Sequence, residues 1–186
     1  MKNIPIKGLQ TSDYINFDTA LNTGLKLLDD PKKKTLGIYI LVSIFTGLRT
    51  GDIQKLTFEQ FNSDSLTIQE EKTGKTRTIK INETLKKVFQ KHRGSGLIFM
   101  SQKNSVFTTQ SLNRILKKIF KQLSKKEQIS THSLRKGFGR RVYDMNGQSE
   151  HALIKLSEVF GHSSIQLTRI YLGLKQEELN EVYMNL

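Results

Sequence analysis

Thirteen consecutive residues at 36–48, LGIYILVSIFTGL, carry no charge, in a chain where a quarter of all residues are Asp, Glu, Lys or Arg. A helix needs about 20 apolar residues to span a bilayer, so this run is too short to cross one. It is apolar on every side and has no polar stripe to turn toward water. Such a helix belongs at the centre of a globule, with other elements wrapped around it. The run therefore predicts a buried helix over about 34–47, closed at Gly47. One such helix in 186 residues implies one sizeable core and a single domain, 1–186.

The flanking pattern fills in the rest. TSDYINFDTALNTGLKLLDDP opens with capping residues and repeats apolar side chains at Phe17, Leu21, Leu25 and Leu28. That is helical spacing, stopped by Asp-Asp-Pro. DIQKLTFEQF reads as a short helix and a turn. The period then changes to two: Leu66 and Ile68, then Ile79 and Ile81, flank a KTGK turn, which predicts a β-hairpin over 65–81. A helix follows from about Asn82 to His92, and GSGLIFMS is a loop with an extended piece. Further helices are expected at about 109–123, 133–145, 150–160 and 164–172. Gly137 and Gly139 weaken the second of these, and Gly161 stops the third. Leu179, Val182, Tyr183 and Leu186 form an apolar stripe, predicting a C-terminal tail helix within 174–186. The fold class is mostly α with a small antiparallel β-hairpin, an α+β arrangement.

Charge restricts the partners. Thirty Lys and Arg against 17 Asp and Glu give a net charge of +13. Such an excess favours a polyanion, above all nucleic acid. It is also uneven: LNRILKKIFKQLSKKEQISTHSLRKGFGRR, 112–141, holds ten Lys or Arg and one acid, whereas KQEELNEVYMNL is net acidic. There are no cysteines, which excludes a disulfide framework and thiolate metal sites and suits a reducing compartment. MKNIPIKGLQ lacks the apolar run of a signal peptide. A cytoplasmic protein with no membrane partner is expected.

Several short segments carry reactive side chains in order. Arg49 lies in TGLRTGDI, Lys72 in QEEKTGK, His132 and Arg135 in THSLRKG, and His162 and Tyr171 in GHSSIQLTRIY. Singly, each has an ordinary structural explanation: a cap, a solvated turn lysine, a packed ring, a core tyrosine. Together they suit phosphodiester chemistry. Two arginines can clamp a phosphate through paired N–H donors, with permanent charge to meet the charge that accumulates during transfer. An imidazole, a proton donor and a tyrosine nucleophile complete the set, with no metal or cofactor required. His132 and Arg135 share a face if their segment is helical. A stop at Gly161 would hold His162 at a helix end, and the next helix would bring Tyr171 back toward the same phosphate.

TGLRTGDIQKL, KTGK, HSLRKGF and GHSSIQLTRIY, spanning about 45–172, resemble in order and separation the catalytic domain of the tyrosine recombinases, the integrase family of site-specific recombinases. The resemblance implies that domain's fold and a DNA strand breaking-rejoining enzyme, active in integration and recombination by phages or mobile elements. Arg49 and Arg135 would clamp the scissile phosphate. Tyr171 would attack it, leaving a 3′-phosphotyrosine and a free 5′-hydroxyl. Lys72 would protonate the departing oxygen, His132 would bond the phosphate and share in proton transfer, and His162 would donate to a nonbridging oxygen. The covalent bond conserves energy, so no ATP is needed. Asp52 resembles the acid three residues after the first arginine, which orients the basic groups; it equally suits a helix N-terminus.

Other positions stay open or depart from the family. Lys75 shares the turn with Lys72 and remains an alternative proton donor. Lys136 stands where many members have a second His, and Thr50-Gly51 replaces an aliphatic-Ser pair. The helical core-binding domain that usually precedes the catalytic one is apparently absent, implying either a shortened chain or a minimal recombinase like the fimbrial-switch inverters. Double-stranded DNA is the implied partner, with no small-molecule substrate. The tail would dock in trans to join protomers into a tetramer on DNA, the alternative being packing in cis on the chain's own core. Two other readings are a type IB topoisomerase-like relaxing enzyme and a non-catalytic DNA-binding regulator.

Overall fold

The computed structural model describes residues 12–101, 105–174 and 184. Helix α1 runs over Phe17–Leu28, started by the Asn16 side chain, which accepts from the amides of Asp18 and Thr19. Helix α2, Lys34–Thr46, carries most of the uncharged run, and Ile38, Ile40, Leu41, Val42 and Ile44 are all 0–1% exposed. Each such side chain contributes about 1.5–3 kcal/mol of apolar burial. Packing shifts the expected stripe of α1: Ala20 and Gly24 face inward, while Leu25 is 39% exposed. Gly24 lets α2 close in, since a Cβ there would lie 2.8 Å from Leu41 Cδ2.

Helix α3, Thr50–Gln54, and a 3-10 turn at Glu59–Phe61 lead to strands β1, Ser65–Gln69, and β2, Thr76–Lys80. The strands pair antiparallel, with Leu66 opposite Ile79 and Ile68 opposite Arg77. Helix α4 spans Glu83–Lys91 and α5 spans Thr109–Ile119. The latter ends at Ile119, four residues before the expected 123, with Phe120 as its C-cap, and a separate 3-10 turn covers Leu123–Lys125.

Helix α6, Thr131–Met145, starts two residues earlier than expected because Ser130 and Ser133 form a reciprocal capping box. Its internal glycines have a packing reason: a Cβ at Gly137 would collide with the carbonyl oxygen of Ile15. Helices α7, Glu150–Phe160, and α8, Ile165–Leu172, complete the described elements. The main core surrounds α2. A smaller cluster joins Tyr143, Leu153, Leu156, Phe160, Tyr171 and Leu172. Helix α6 packs against α2 on one side and against α7 and α8 on the other, so its residues reach both clusters. The tail stripe at Leu179, Val182, Tyr183 and Leu186 lies outside the described residues. No helix among the described residues is long and apolar enough to cross a membrane.

Candidate active site

The site forms at the C-terminal end of α7. Gly161 caps this helix in the left-handed region, φ 63°. The last carbonyls of a helix have no partner within it and carry its partial negative charge. Here they attract guanidinium groups. Arg49, the N-cap of α3, donates from Nη2 to the Phe160 carbonyl at 2.7 Å. Arg135, on α6, donates from Nη2 to the same oxygen at 3.2 Å and stacks over the Phe160 ring, Cζ 4.8 Å from its centroid. A Cβ at Gly161 would sit 3.3 Å from Arg49 Nη2, so glycine serves both the turn and the arginine.

Glu70 is the functional candidate that the motif reading missed. It is 4% exposed at the end of β1. Its Oε2 accepts from Arg49 Nη1 at 3.1 Å and from the Thr73 hydroxyl at 2.9 Å, and its Oε1 pairs with Arg77 Nη2 at 3.0 Å. Arg77 also donates to the carbonyls of Val159 and Glu158 in the last turn of α7. Burial alone would raise the Glu70 pKa; the Thr73 hydroxyl, Arg77 and Arg49 outweigh it and hold the carboxyl below its ordinary value. The alternation Leu66, Ile68, Glu70 could have revealed it. Period two keeps Glu70 on the buried face, where an acid needs a cation.

Both motif histidines are half-buried. His132 lies in the first turn of α6, and burial followed by the charges of Arg135, Lys136 and Arg49 lowers its pKa to about 4. His162 follows the α7 cap, and burial, then Arg135, Arg49 and Lys72, lowers its pKa to about 4 as well. Both imidazoles are therefore neutral at pH 7. His162 Nδ1 lies 3.0 Å from Thr168 Oγ1. Its ring meets that of Tyr171 edge-on, with centroids 5.1 Å apart.

Tyr171, on α8, is 5% exposed, and its hydroxyl is buried without a hydrogen-bond partner among the described residues. Burial pushes its pKa up to about 12, while Arg135 and Arg49 pull the other way. Arg135 is close enough for that influence, but its geometry falls short of a hydrogen bond. Arg135 itself is lowered by burial to about 10 and stays cationic at neutral pH.

Lys72 is exposed on the hairpin turn, from where its charge reaches His162. Lys75 is exposed on the same turn, and its carbonyl accepts from the Glu70 amide. Asp52 is 5% exposed, and its Oδ1 accepts from the Glu71 amide at 2.9 Å, tying α3 to the turn beside Lys72. Lys136 is buried, donates to the Ser12 carbonyl at 2.6 Å and sits over the Tyr171 ring, 5.0 Å from its centroid. Among the described residues no three His, Cys, Asp or Glu side chains gather as a metal site. Two guanidinium groups thus converge on one oxygen next to a neutral imidazole and an unpartnered phenol. That arrangement can hold an anionic oxygen cluster against a nucleophile.

The profile of the Phage integrase family matches residues 12–178. The chain belongs to that family. The resemblance drawn from its motifs to the tyrosine recombinases therefore holds over nearly the whole chain. Solved structures of the family share its fold. XerH site-specific recombinase, solved with a palindromic difH substrate as a post-cleavage complex, is 21% identical, with a TM-score of 0.67 over 94% of this chain and 53% of that one. XerA recombinase is 18% identical, with a TM-score of 0.67 over 96% of this chain and 66% of that one. The catalytic domain of bacteriophage HP1 integrase is 24% identical, with a TM-score of 0.58 over 86% of each chain. The integrase-family chain described here thus spans about half to two thirds of the length of XerH and XerA. No curated protein matches it.

Proposed function

We propose that residues 1–186 act as the catalytic domain of a site-specific DNA recombinase that cleaves and rejoins DNA through a 3′-phosphotyrosine. The observation that carries this reading is the convergence of Arg49 and Arg135 on the Phe160 carbonyl, beside Tyr171 and His162. In this reading the two guanidinium groups clamp the scissile phosphate. The Tyr171 oxygen attacks phosphorus, the bond to the 5′ oxygen breaks, and the leaving oxygen takes a proton from Lys72. The influence of Lys72 on His162 supports it over Lys75 as that donor. The phenol proton passes to His132, whose ring is neutral in the free site and becomes more basic once the phosphate's negative charge offsets Arg135 and Arg49. His162 donates to a nonbridging oxygen. A phenol near pKa 12 is a weak nucleophile until the proton leaves, so attack and proton transfer belong to one step. Attack by a new 5′-hydroxyl reverses the sequence and releases Tyr171.

Asp52 positions Lys72 through the hairpin backbone. Double-stranded DNA is the partner. The net charge of +13 supports this, as do the family's DNA-bound members, such as XerH on its difH substrate. A tetramer on paired sites, joined through the 174–186 tail, follows from the same reading. The test uses a nicked duplex carrying the junction sequence of the chain's own mobile element. The wild type should form a covalent protein–DNA adduct, and Tyr171→Phe should form none while binding DNA as before. An adduct of undiminished yield in Tyr171→Phe ends the assignment. Relaxation of a supercoiled plasmid lacking the junction would instead favour the topoisomerase reading.

A further inference from the structure

Thr168 lies inside the GHSSIQLTRIY segment, yet the reaction above leaves it without a task. It is 0% exposed, one turn before Tyr171 on α8. Its hydroxyl has two partners. His162 Nδ1 is 3.0 Å from Oγ1, and the Ser164 carbonyl is 3.5 Å away. The second distance is at the outer limit of a hydrogen bond, while the first is ordinary. A hydroxyl has one proton to donate. Given to Ser164, it would leave the threonine oxygen to accept from an Nδ1–H, and the other ring nitrogen would be bare. Given to Nδ1, it obliges a neutral imidazole to carry its own proton on Nε2. Which nitrogen of a histidine holds the proton is set by the bond the other one makes.

We propose that Thr168 is a positioning residue that donates to His162 Nδ1 and so holds His162 as the Nε2–H tautomer, ready to donate to a phosphate oxygen. The inference rests on the recombinase reading for its purpose, but not for its geometry. Burial keeps the ring neutral at pH 7, so the tautomer matters. The charges bearing on the ring are Arg135, Arg49 and Lys72, all cationic, so an anion drawn among them would meet one more donor. Thr168 and Tyr171 share a face of α8, three residues apart. The helix that presents the nucleophile therefore also sets the histidine's proton.

Long-range proton–nitrogen NMR spectra of the whole chain at pH 7 report the tautomer directly, with His162→Gln identifying the signal. The wild type should show the Nε2–H form. Thr168→Val, which keeps the shape and removes the hydroxyl, should give a mixture with the Nδ1–H form. Thr168→Ser should restore the wild-type pattern. On the nicked junction duplex, Thr168→Val should slow covalent adduct formation about tenfold, the rate equivalent of one hydrogen bond. Its DNA affinity should be unchanged, and Thr168→Ser should cleave near the wild-type rate. An Nδ1–H tautomer in the wild type overturns the proposal without any variant. An unshifted tautomer in Thr168→Val also overturns it, as does a shifted one with unchanged cleavage. If the wild type forms no adduct, the recombinase reading fails, and the spectra alone still decide whether Thr168 sets the tautomer.

Discussion

A buried carboxylate inside the proposed phosphate site would compete with the phosphate, so in that reading Glu70 needs a compensating role. Arg49, Arg77 and Arg135 all reach the end of α7, and three like charges repel one another. One anion between Arg49 and Arg77 lowers that repulsion and fixes the direction of Arg49 in the free protein. Preorganised charge of this kind accelerates the chemical step more than it strengthens binding. Glu70→Gln is therefore expected to slow cleavage of the nicked duplex by about tenfold or more, with DNA affinity by fluorescence anisotropy not reduced. Equal loss of both, in protein shown folded by circular dichroism, would assign Glu70 to the fold alone. The histidines give a second prediction. His132 and His162 sit near pKa 4 when folded, against about 6.5 unfolded. Between those values the unfolded chain binds more protons, so stability is lost as pH falls from about 6.5 toward 4. Thermal melts from pH 7.5 to 4.5 should show Tm dropping. The drop should be shallower in the His132→Gln/His162→Gln double variant, and an identical slope would contradict the lowered values.

Helix α7 combines a structural end with a functional one. Its final carbonyls would otherwise need water or a cap, and Arg49, Arg135 and Arg77 take them instead. Gly161→Ala tests whether the two purposes are separable. A side chain in the left-handed region costs about 1–2 kcal/mol, which chemical denaturation would register. The new methyl would also crowd Arg49 Nη2, so cleavage should fall beyond what stability explains. Gly147→Ala is the control: φ is the same 63°, but no neighbouring atom lies within 4 Å of an added Cβ. It should lose similar stability and keep its cleavage rate. Matching cleavage rates in the two variants would remove Arg49 from the explanation.

Across the whole molecule the basic segment 112–141 does not form a single surface. Arg135 and Lys136 are buried at the site, whereas Arg114, Lys117, Lys118, Lys121, Lys125 and Lys126 are exposed on and after α5. Spacing puts Arg114, Lys117 and Lys118 on one face of that helix. If this face tracks the DNA backbone, the binding constant depends on salt with a slope of about −0.9 per phosphate neutralised. Replacing Arg114, Lys117, Lys118 and Lys121 by Gln should flatten that slope by up to about 3.6, with cleavage at saturating protein largely kept. An unchanged slope would move the binding face elsewhere.

Local chemistry made much of this legible. An uncharged run of 13 residues favours a buried helix in a chain this polar, and α2 carries most of it. Period two predicted the hairpin, and Gly161 predicted the end of α7. Arg49, His132, Arg135, His162 and Tyr171 stood out because each lies in a short segment with its own pattern. The inward face of α1 did not stand out. Its leucine spacing pointed Leu25 to the core, while contact with α2 selected Ala20 and Gly24 for close approach. Nor did the point where the arginines meet. Arg49 and Phe160 are 111 residues apart, and their link is a backbone carbonyl, which every residue has. The pairing of Glu70 with Arg49, 21 residues away, was likewise settled by which elements packing brought face to face. Periodicity and capping act over a few residues and leave a pattern in the chain; burial and hydrogen-bond pairing act between segments that only packing brings together.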